Sequence, residues 1–126
     1  MEAPPDVRCM EGWYLIEGKC YFFSNHRDTW NNSKNFCKSH NSSLAIIDNE
    51  KEKTFLSLQG SNYWIGLSRA QDNSGWVWTD GTPYSETLFN IFRHPTISSE
   101  SEHVYLDSEC FKSANGKQPM KCICKV

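Results

Sequence analysis

The chain has 126 residues, the size of one domain, and five Trp, five Tyr and seven Phe provide enough large apolar side chains for a packed core. Thirteen Lys and Arg against fifteen Asp and Glu leave a net charge of -2, so the concentrated positive charge of nucleic-acid-binding proteins is absent. No apolar run reaches the roughly 18–20 residues of a membrane-spanning helix. These features exclude a disordered chain, a nucleic-acid-binding domain and a membrane span within the sequence.

Six cysteines and two glycosylation sequons indicate an extracellular protein. An even number of cysteines in a short chain is typical of a disulfide framework in an oxidising compartment, although composition leaves the pairing open. Asn31 and Asn41 each begin an N-x-S sequon, and such sites are used on protein surfaces in the secretory pathway. The sequence starts without the apolar stretch of a signal peptide. We therefore expect an ectodomain excised from a longer protein.

The first predicted element is a β-hairpin. Between residues 9 and 24, aromatic and polar residues alternate around Glu17-Gly18, a pattern typical of two short strands joined by a tight turn. Cys9 and Cys20 are placed to close this hairpin. Residues 1–8 are predicted to be a disordered or stalk-derived segment, which leaves residues 9–126 as the domain.

Two helices are predicted next. Residues 28–40 fit a short amphipathic helix capped by Asp28 or Thr29, and its apolar positions are Trp30, Phe36 and Cys37. After a short apolar strand, Asp48 is predicted to cap a second helix that ends near Leu58.

The second half of the chain is predicted to be β-structure interrupted by one long loop. Residues 82–102 contain two prolines and no sustained period, which is typical of a loop that carries function or is disordered. Trp64, Trp76 and Trp78 are interpreted as core residues, because aromatic residues at strand spacing more often pack than bind ligands. The strand patterns lie at residues 42–47, 62–68, 75–81, 103–106 and 121–125.

Several short motifs follow one another in a characteristic order. They are Gly-Lys-Cys-Tyr-Phe-Phe-Ser before Asn25, Thr29-Trp30 with Cys37 seven residues later, Leu44-Ala45, Trp64-Ile65-Gly66-Leu67-Ser68 and Trp76-x-Trp78-x-Asp80-Gly81-Thr82. In this order they resemble the C-type lectin-like domain of the natural killer cell receptor branch, especially the lectin-like ligands grouped with the early activation antigen of lymphocytes. The resemblance runs from Cys9 to Val126. It implies an α+β fold in which two helices flank two small antiparallel sheets with a long loop.

The resemblance also implies which cysteines pair. It joins Cys37 to Cys124 and Cys9 to Cys20, and the large loop closed by the first of these bridges would contribute about 4–5 kcal/mol on a chain-entropy estimate. A further internal bridge in the family begins at the position occupied here by His103. Cys110 and Cys122 are then left over, and we expect a non-standard bridge between them, with two free thiols or an intermolecular bond as the alternatives.

The sequence lacks the patterns of metal-dependent or catalytic sites. Calcium-dependent sugar binding in this family uses Glu-Pro-Asn or Gln-Pro-Asp in the long loop and Trp-Asn-Asp on the next strand, because calcium needs several converging oxygen ligands, and neither pattern occurs. Zinc held by His103 and the two C-terminal cysteines is disfavoured, since a disulfide sulfur does not bind metal. Nucleophile elbows, zinc-protease helices and phosphate-binding glycine loops are also missing. We expect no enzyme activity, no metal and no cofactor.

These observations favour a calcium-independent recognition module. The resemblance implies a type II membrane protein ectodomain at the cell surface, a homodimer, and as partner another C-type lectin-like receptor or an MHC-like molecule. The alternatives are a calcium-independent glycan-binding lectin and a pathogen-encoded mimic of such a receptor. The residues predicted to contact the partner are Arg69, Tyr84, Glu86, Arg93, His94, Glu102, Tyr105 and Lys112.

Overall fold

The computed structural model describes residues 9–70, 75–85, 91–93, 102–108 and 110–126. The helices are α1 (Trp30–Ser39) and α2 (Glu50–Ser57), and neither is long and apolar enough to cross a membrane. The strands are β1 (Tyr14–Ile16), β2 (Lys19–Phe23), β3 (Ser43–Leu44), β4 (Ser61–Arg69), β5 (Trp76–Trp78), β6 (Ile91–Arg93), β7 (His103–Asp107), β8 (Cys110–Ala114) and β9 (Lys121–Lys125). The predicted N-terminal segment 1–8 and much of the predicted long loop lie outside the described residues.

The N-terminal hairpin has the predicted turn. Strands β1 and β2 pair antiparallel, and the two turn residues Glu17 and Gly18 have φ angles of 51° and 79°. Two successive positive φ angles give the turn geometry that matches the right-handed twist of two-residue hairpins. A disulfide joins Cys9 to Cys20 with Cα atoms 5.5 Å apart. The start of the described chain is therefore attached to β2, as the resemblance implies.

Helix α1 is capped by Thr29. The Thr29 hydroxyl accepts a hydrogen bond from the backbone N–H of Asn32 at 3.2 Å, while the Asp28 carboxylate accepts from the backbone N–H of Thr29 at 2.8 Å. Thr29 is thus the N-cap among the two candidates, and Asp28 supports it from one residue earlier. The face of α1 that packs on the sheet carries Trp30, Ser33 and Cys37.

The prediction that Asp48 caps the second helix is wrong by one residue. The side-chain oxygen of Asn49 accepts from the N–H of Glu52 at 2.8 Å, and the Glu52 carboxylate accepts from the N–H of Asp48 at 2.9 Å. This reciprocal arrangement satisfies two backbone donors at once. The Asp48 carboxylate is instead 3.3 Å from the Lys19 ammonium, so α2 is tied to the N-terminal hairpin.

The strands form two mainly antiparallel groups that are joined through β9. The hydrogen-bonded order is β1-β2-β9-β4-β7-β8-β6, with β3 also paired to β9 and β5 also paired to β4. β9 runs antiparallel to β2 but parallel to β4, and this parallel contact connects the two groups into one path. Strands β6 and β8 were not predicted from the sequence.

The interior contains two apolar clusters. Tyr21, Ile65 and Trp78 belong to the first, while Trp30 and Trp64 belong to the second. Trp30, Trp64 and Trp78 are all buried, which confirms their interpretation as core residues. The indole N–H groups of Trp30 and Trp64 donate to backbone carbonyls at 2.9 and 3.0 Å, so these large rings are buried without leaving an unpaired donor.

One cysteine prediction is wrong. The implied bridge between Cys37 and Cys124 is present and joins α1 to β9 with Cα atoms 5.4 Å apart, but Cys110 and Cys122 are both free. Cys122 lies two residues before Cys124, so both side chains point to the same buried face of β9. Cys110 is exposed at the first residue of β8. The two leftover sulfurs therefore face different environments, which prevents the expected bridge.

His103 lies at the position where the resemblance implies a bridging cysteine. Its ring centroid is 4.4 Å from that of Trp30 and 6.4 Å from that of Trp64. A Cβ added to Gly116 would be 2.5 Å from the Nδ1 atom of His103, so residue 116 must be glycine while the imidazole is there. Burial lowers the pKa of His103 to about 4, and Nδ1 is buried without a hydrogen-bond partner. A neutral ring therefore fills this space.

Candidate recognition surface

Arg69 and Trp76 form the centre of the candidate surface. They are directly opposite each other in the antiparallel pairing of β4 with β5, and the guanidinium carbon of Arg69 lies 4.6 Å from the centroid of the Trp76 ring. This distance is within the range of a cation–π interaction. Both side chains are half-buried. The contact holds the long Arg69 side chain against the strand, so less conformational entropy is lost when another molecule binds it.

After the Asp80-Gly81 turn, the chain comes back beside Trp76 at Tyr84. Its backbone N–H donates to the carbonyl of Trp76 at 3.2 Å, and its half-buried ring packs at the margin of the first core cluster. A groove of about 440 Å³ lies between these segments. The side chains that give the groove its apolar character are Trp76, Val77, Pro83 and Tyr84.

Glu102 completes this region. Its backbone carbonyl accepts a hydrogen bond from the N–H of Arg69 at 2.8 Å, and the residue is exposed. We use the name Trp76 surface for Arg69, Trp76, Tyr84 and Glu102 together. The structure therefore brings three of the predicted contact residues to one place, where a cation, an anion and two aromatic rings are within reach of one partner.

Lys112 is separated from the Trp76 surface by strand β7. It lies on β8, and its ammonium is 2.7 Å from the Asp107 carboxylate. The hydrogen bond from Lys112 to Asp107 raises the pKa of the lysine. This pair is partly exposed, so it offers a second charged position but does not share a groove with Arg69.

The prediction that Tyr105 contacts a partner is wrong. Tyr105 is only 2% exposed, and its ring lies edge-on to Trp64 with centroids 5.9 Å apart. Strand β7 is hydrogen-bonded to β4 on one side and to β8 on the other. Three consecutive residues of this central strand, Val104, Tyr105 and Leu106, are buried, so both of its faces are covered.

The remaining predicted contacts are only partly described. Glu86 and His94 lie outside the described residues. Arg93 is described through its backbone alone, which pairs with Ser113 where β6 runs parallel to β8. Their part in recognition therefore stays a prediction.

Two acidic residues near the predicted loop are engaged in local contacts. The Oδ1 atom of Asp80 accepts from the N–H and the hydroxyl of Thr82 at 2.9 and 2.7 Å, and these hydrogen bonds lower the pKa of Asp80. Asp107 is paired with Lys112. Among the residues that the structure describes, the one cluster of three potential metal-ligating side chains is Cys37, Cys122 and Cys124. Two of those sulfurs form a disulfide and do not bind metal in that state.

Both sequon asparagines are exposed. Asn31 is the second residue of α1, and Asn41 follows the helix with a φ of 56°. Their side chains are accessible for glycosylation, which stays a prediction.

Sequence reasoning assigned Trp76 to the core and missed its place at the centre of the surface. The ring does touch the first core cluster, but it lies at the first residue of β5, where Arg69 covers it. Both strands were predicted. Their register, which places Arg69 opposite Trp76, was not predicted.

Comparisons with known proteins give a consistent result. The family model of the Lectin C-type domain matches residues 26–126. Natural killer cells antigen CD94 of Macaca mulatta is 37% identical over 106 residues, covering 81% of this chain and 59% of that protein. C-type lectin domain family 2 member F of Mus musculus is 33% identical over 117 residues, covering 92% of this chain and 56% of that protein. The chain thus spans about half the length of the curated relatives it matches.

Solved structures share the fold at lower sequence identity. The C-type lectin domain of murine dendritic cell inhibitory receptor 2, in complex with N-glycan, has a TM-score of 0.80 and 23% identity and covers 94% of this chain and 98% of its own. A calcium-independent type II antifreeze protein has a TM-score of 0.78 and 22% identity and covers 94% of each chain. One of these proteins is bound to an N-glycan and the other is an antifreeze protein, so the similarity to them concerns the fold alone.

Proposed function

Because this chain belongs to the C-type lectin domain family, in its natural killer receptor-like branch, we propose that it is the extracellular part of a cell-surface immune receptor or ligand. In this proposal it binds a partner protein without calcium and has no enzyme activity. Relatives named as natural killer cell antigens and as C-type lectin family 2 members support this class of function. The proposed partner is another C-type lectin-like receptor or an MHC-like molecule.

The Trp76 surface is the observation that carries the proposal. Trp, Tyr and Arg are the side chains most enriched at the energetic centres of protein interfaces. Here Arg69 lies on the Trp76 ring beside Tyr84, so the anchors are already ordered before a partner arrives. The exposed Glu102 next to them adds a charge of opposite sign, which favours a partner with a complementary charge pattern.

The local contacts of the acidic residues support calcium-independent binding. Asp80 and Asp107 are oxygen donors near the predicted loop, and each already binds a group of this chain, Thr82 and Lys112 respectively. A calcium ion would have to compete with an ammonium at 2.7 Å for the Asp107 carboxylate and needs six to eight oxygen ligands.

A charge-reversal pair tests the surface. The protein, displayed as a multimer, is screened against a library of cell-surface receptor ectodomains. The affinity for the receptor that binds is then measured for wild type, for Arg69→Glu and for Arg27→Glu. Arg27 is an exposed arginine that precedes α1, so its variant makes the same charge change away from the Trp76 surface. We expect Arg69→Glu to weaken binding at least about 30-fold, a loss of about 2 kcal/mol, and Arg27→Glu to leave it within about twofold. Equal losses for both variants would contradict the assignment.

Glycan binding without calcium is the second candidate function. The observation in its favour is the groove of about 440 Å³ beside Trp76 and Tyr84, because aromatic rings at the edge of a groove can stack on sugar rings. A glycan array, with and without chelator, tests it. Sugar binding that is insensitive to chelator and is abolished by Tyr84→Ala would replace the protein-partner proposal.

A homodimer is proposed from the exposed edge of the sheet. β1 is the outermost strand of its group, and three large apolar side chains on or next to it are at least half exposed: Met10, Tyr14 and Leu15. An edge strand with exposed apolar residues is prone to pair with another chain.

Sedimentation velocity tests this dimer. Leu15→Lys is expected to shift the protein to monomer, because a charge at the proposed interface must be desolvated. Leu58→Lys is the matched control, since Leu58 is 73% exposed at the C-terminal end of α2. Wild-type protein that is monomeric at all concentrations, or a dimer unaffected by Leu15→Lys, would refute the proposal.

A further inference from the structure

A free thiol lies beside the disulfide that joins α1 to β9. Cys37 and Cys124 form that disulfide, and Cys122 is reduced. The three Sγ atoms all lie within 4.8 Å of one another, and all three residues are buried. The recognition function proposed above uses none of these atoms. This cluster therefore contains a nucleophile and its electrophile side by side.

The strand geometry explains why the thiol is held there. Cys122 and Cys124 are two residues apart on β9 and share one face, and that face packs on α1, where Cys37 is the third buried residue. The backbone N–H of Cys122 donates to the Ser24 hydroxyl at 2.8 Å, which fixes the strand. A thiol held this way reacts with its neighbour in an intramolecular step, at a high effective concentration.

We propose that Cys122 is an internal nucleophile toward the Cys37–Cys124 bridge, so that the folded domain interconverts between disulfide isomers. The Cys122 thiol gives its proton to solvent, and the thiolate attacks the Sγ atom of Cys37. The Cys37–Cys122 bond forms, the Cys37–Cys124 bond breaks, and its electron pair goes to the Sγ atom of Cys124, which takes a proton from solvent. One disulfide and one thiol are present before and after, so no oxidant or reductant is consumed.

The surroundings of the thiol set the rate of this exchange. Burial raises the pKa of Cys122, the Ser24 hydroxyl lowers it, and the negative charge of Asp28 raises it. Exchange proceeds through the thiolate. Its rate is therefore low at neutral pH and rises about tenfold per pH unit for as long as the pH stays below the thiol pKa.

The isomers differ in how α1 is attached. The bridge from Cys37 to Cys124 spans 87 positions of the sequence, and moving it to Cys122 keeps that large loop closed. A bridge between Cys122 and Cys124 is not available to the folded strand, because residues two apart in extended backbone have Cβ atoms about 6.6 Å apart, and a disulfide needs about 3.5–4.5 Å. The exchange therefore moves the covalent attachment of α1 by two residues along β9 without any change in redox state.

Alkylation mapping tests the exchange. The experiment uses Cys110→Ser protein, which removes the exposed thiol and its intermolecular reactions. The folded protein is incubated without reductant at several pH values, quenched with acid, unfolded, alkylated with N-ethylmaleimide and cleaved with trypsin. Lys121 and Lys125 enclose a peptide that contains both β9 cysteines, and Lys34 and Lys38 enclose the peptide with Cys37. Fragmentation then identifies which sulfur carries the label.

The expected result is a label that starts on Cys122 and moves in time to Cys124. Its rate should rise about tenfold per pH unit and be independent of protein concentration, while near-ultraviolet circular dichroism remains that of the folded domain. Cys122→Ser in the same background is the control and should show no labelled cysteine at any time. A label that stays on Cys122 at every pH overturns the proposal. Migration that scales with protein concentration overturns it equally, because the attack would be between molecules.

Discussion

His103 shows how one side chain replaces a covalent bond. It lies against Trp30 and Trp64 and above Gly116, in the position where the resemblance implies a disulfide, and none of the described neighbours that shift its pKa is an anion. Lys34 is the neighbouring cation that adds to the lowering of its pKa by burial. The residue therefore contributes packing in its neutral form and opposes the fold when protonated.

The first prediction concerns the stability of the fold at acidic pH. The pKa of His103 is about 4 in the folded chain and 6.5 in the unfolded one, so the unfolded state binds more protons between these values and stability falls as pH decreases from about 6.5 to 4. Because the ring is partly exposed, we discount the full linkage for solvent screening and expect a loss of about 2 kcal/mol. Urea unfolding of wild type and of His103→Phe measures it. The free energy of unfolding of the variant should not show this fall between about pH 6.5 and 4. An identical pH dependence of the two proteins would refute the assignment.

The second prediction is that a disulfide can be introduced between positions 103 and 116. An ideal Cβ on residue 116 would be 3.1 Å from the Cγ atom of His103, and that Cγ is one bond from the His103 Cβ, a separation compatible with a disulfide. The double variant His103→Cys with Gly116→Cys should oxidise and gain about 2–3 kcal/mol in its free energy of unfolding, which unfolding with and without reductant measures. The His103→Cys single variant is the control. Absence of the bond under oxidising refolding would contradict this geometry.

Among the elements, α2 is held against the sheet by the buried carboxylate of Glu52, in addition to the contact of Asp48 with Lys19. Glu52 is 4% exposed and accepts from the Tyr21 hydroxyl and from the Lys125 ammonium, which itself is 11% exposed and also donates to the carbonyl of Ile46 at 2.6 Å. The pKa of Tyr21 is raised because its ring is buried and its hydroxyl faces this carboxylate. Helix α2, β2 and β9 thus meet at the Glu52 carboxylate, which is paired with the Lys125 ammonium.

The third prediction compares two glutamates of the same helix turn. Glu52→Gln leaves the buried Lys125 without its anion and should lower the free energy of unfolding by about 3 kcal/mol. Glu50→Gln removes the same charge from the first turn of α2, so the change in helix-dipole energy is matched. Glu50 is exposed and 3.6 Å from Lys53, and its loss should cost less than about 1 kcal/mol. Urea unfolding measures both, and equal effects would contradict the buried network.

Elements with a local signal were predictable, and elements defined by distant partners were not. The Glu17-Gly18 turn and the spacing of Trp30 and Cys37 report local geometry. Strand β8 was missed because its pattern does not alternate. Phe111, Ser113 and Ala114 are buried together where β7 and β6 enclose it. The cap of α2 was misplaced by one residue because Asp48 and Asn49 are both good caps, and the choice depends on Lys19, which lies 29 positions earlier.

For the molecule as a whole, the sequence motifs predicted the family, the α+β class and two disulfides. The candidate surface was only partly predictable. Arg69, Tyr84 and Glu102 converge on Trp76 through the register of β4 with β5 and of β4 with β7, which no local pattern encodes. Tyr105 was assigned to the surface because the resemblance implies a partner face that includes the strands next to the long loop, but the order of strands makes β7 central and buries both of its faces. The prediction for Cys110 and Cys122 failed for the same reason, since pairing depends on which face each strand presents.

Calcium-independent binding of a protein partner is tested by measuring how the multimeric domain binds receptor ectodomains and glycans in parallel. Each measurement is made with calcium and with chelator. The account predicts that a protein partner is bound equally in both conditions and that Arg69→Glu removes this binding while Arg27→Glu does not. Glycan binding that requires calcium, with no protein partner bound in either condition, would contradict it.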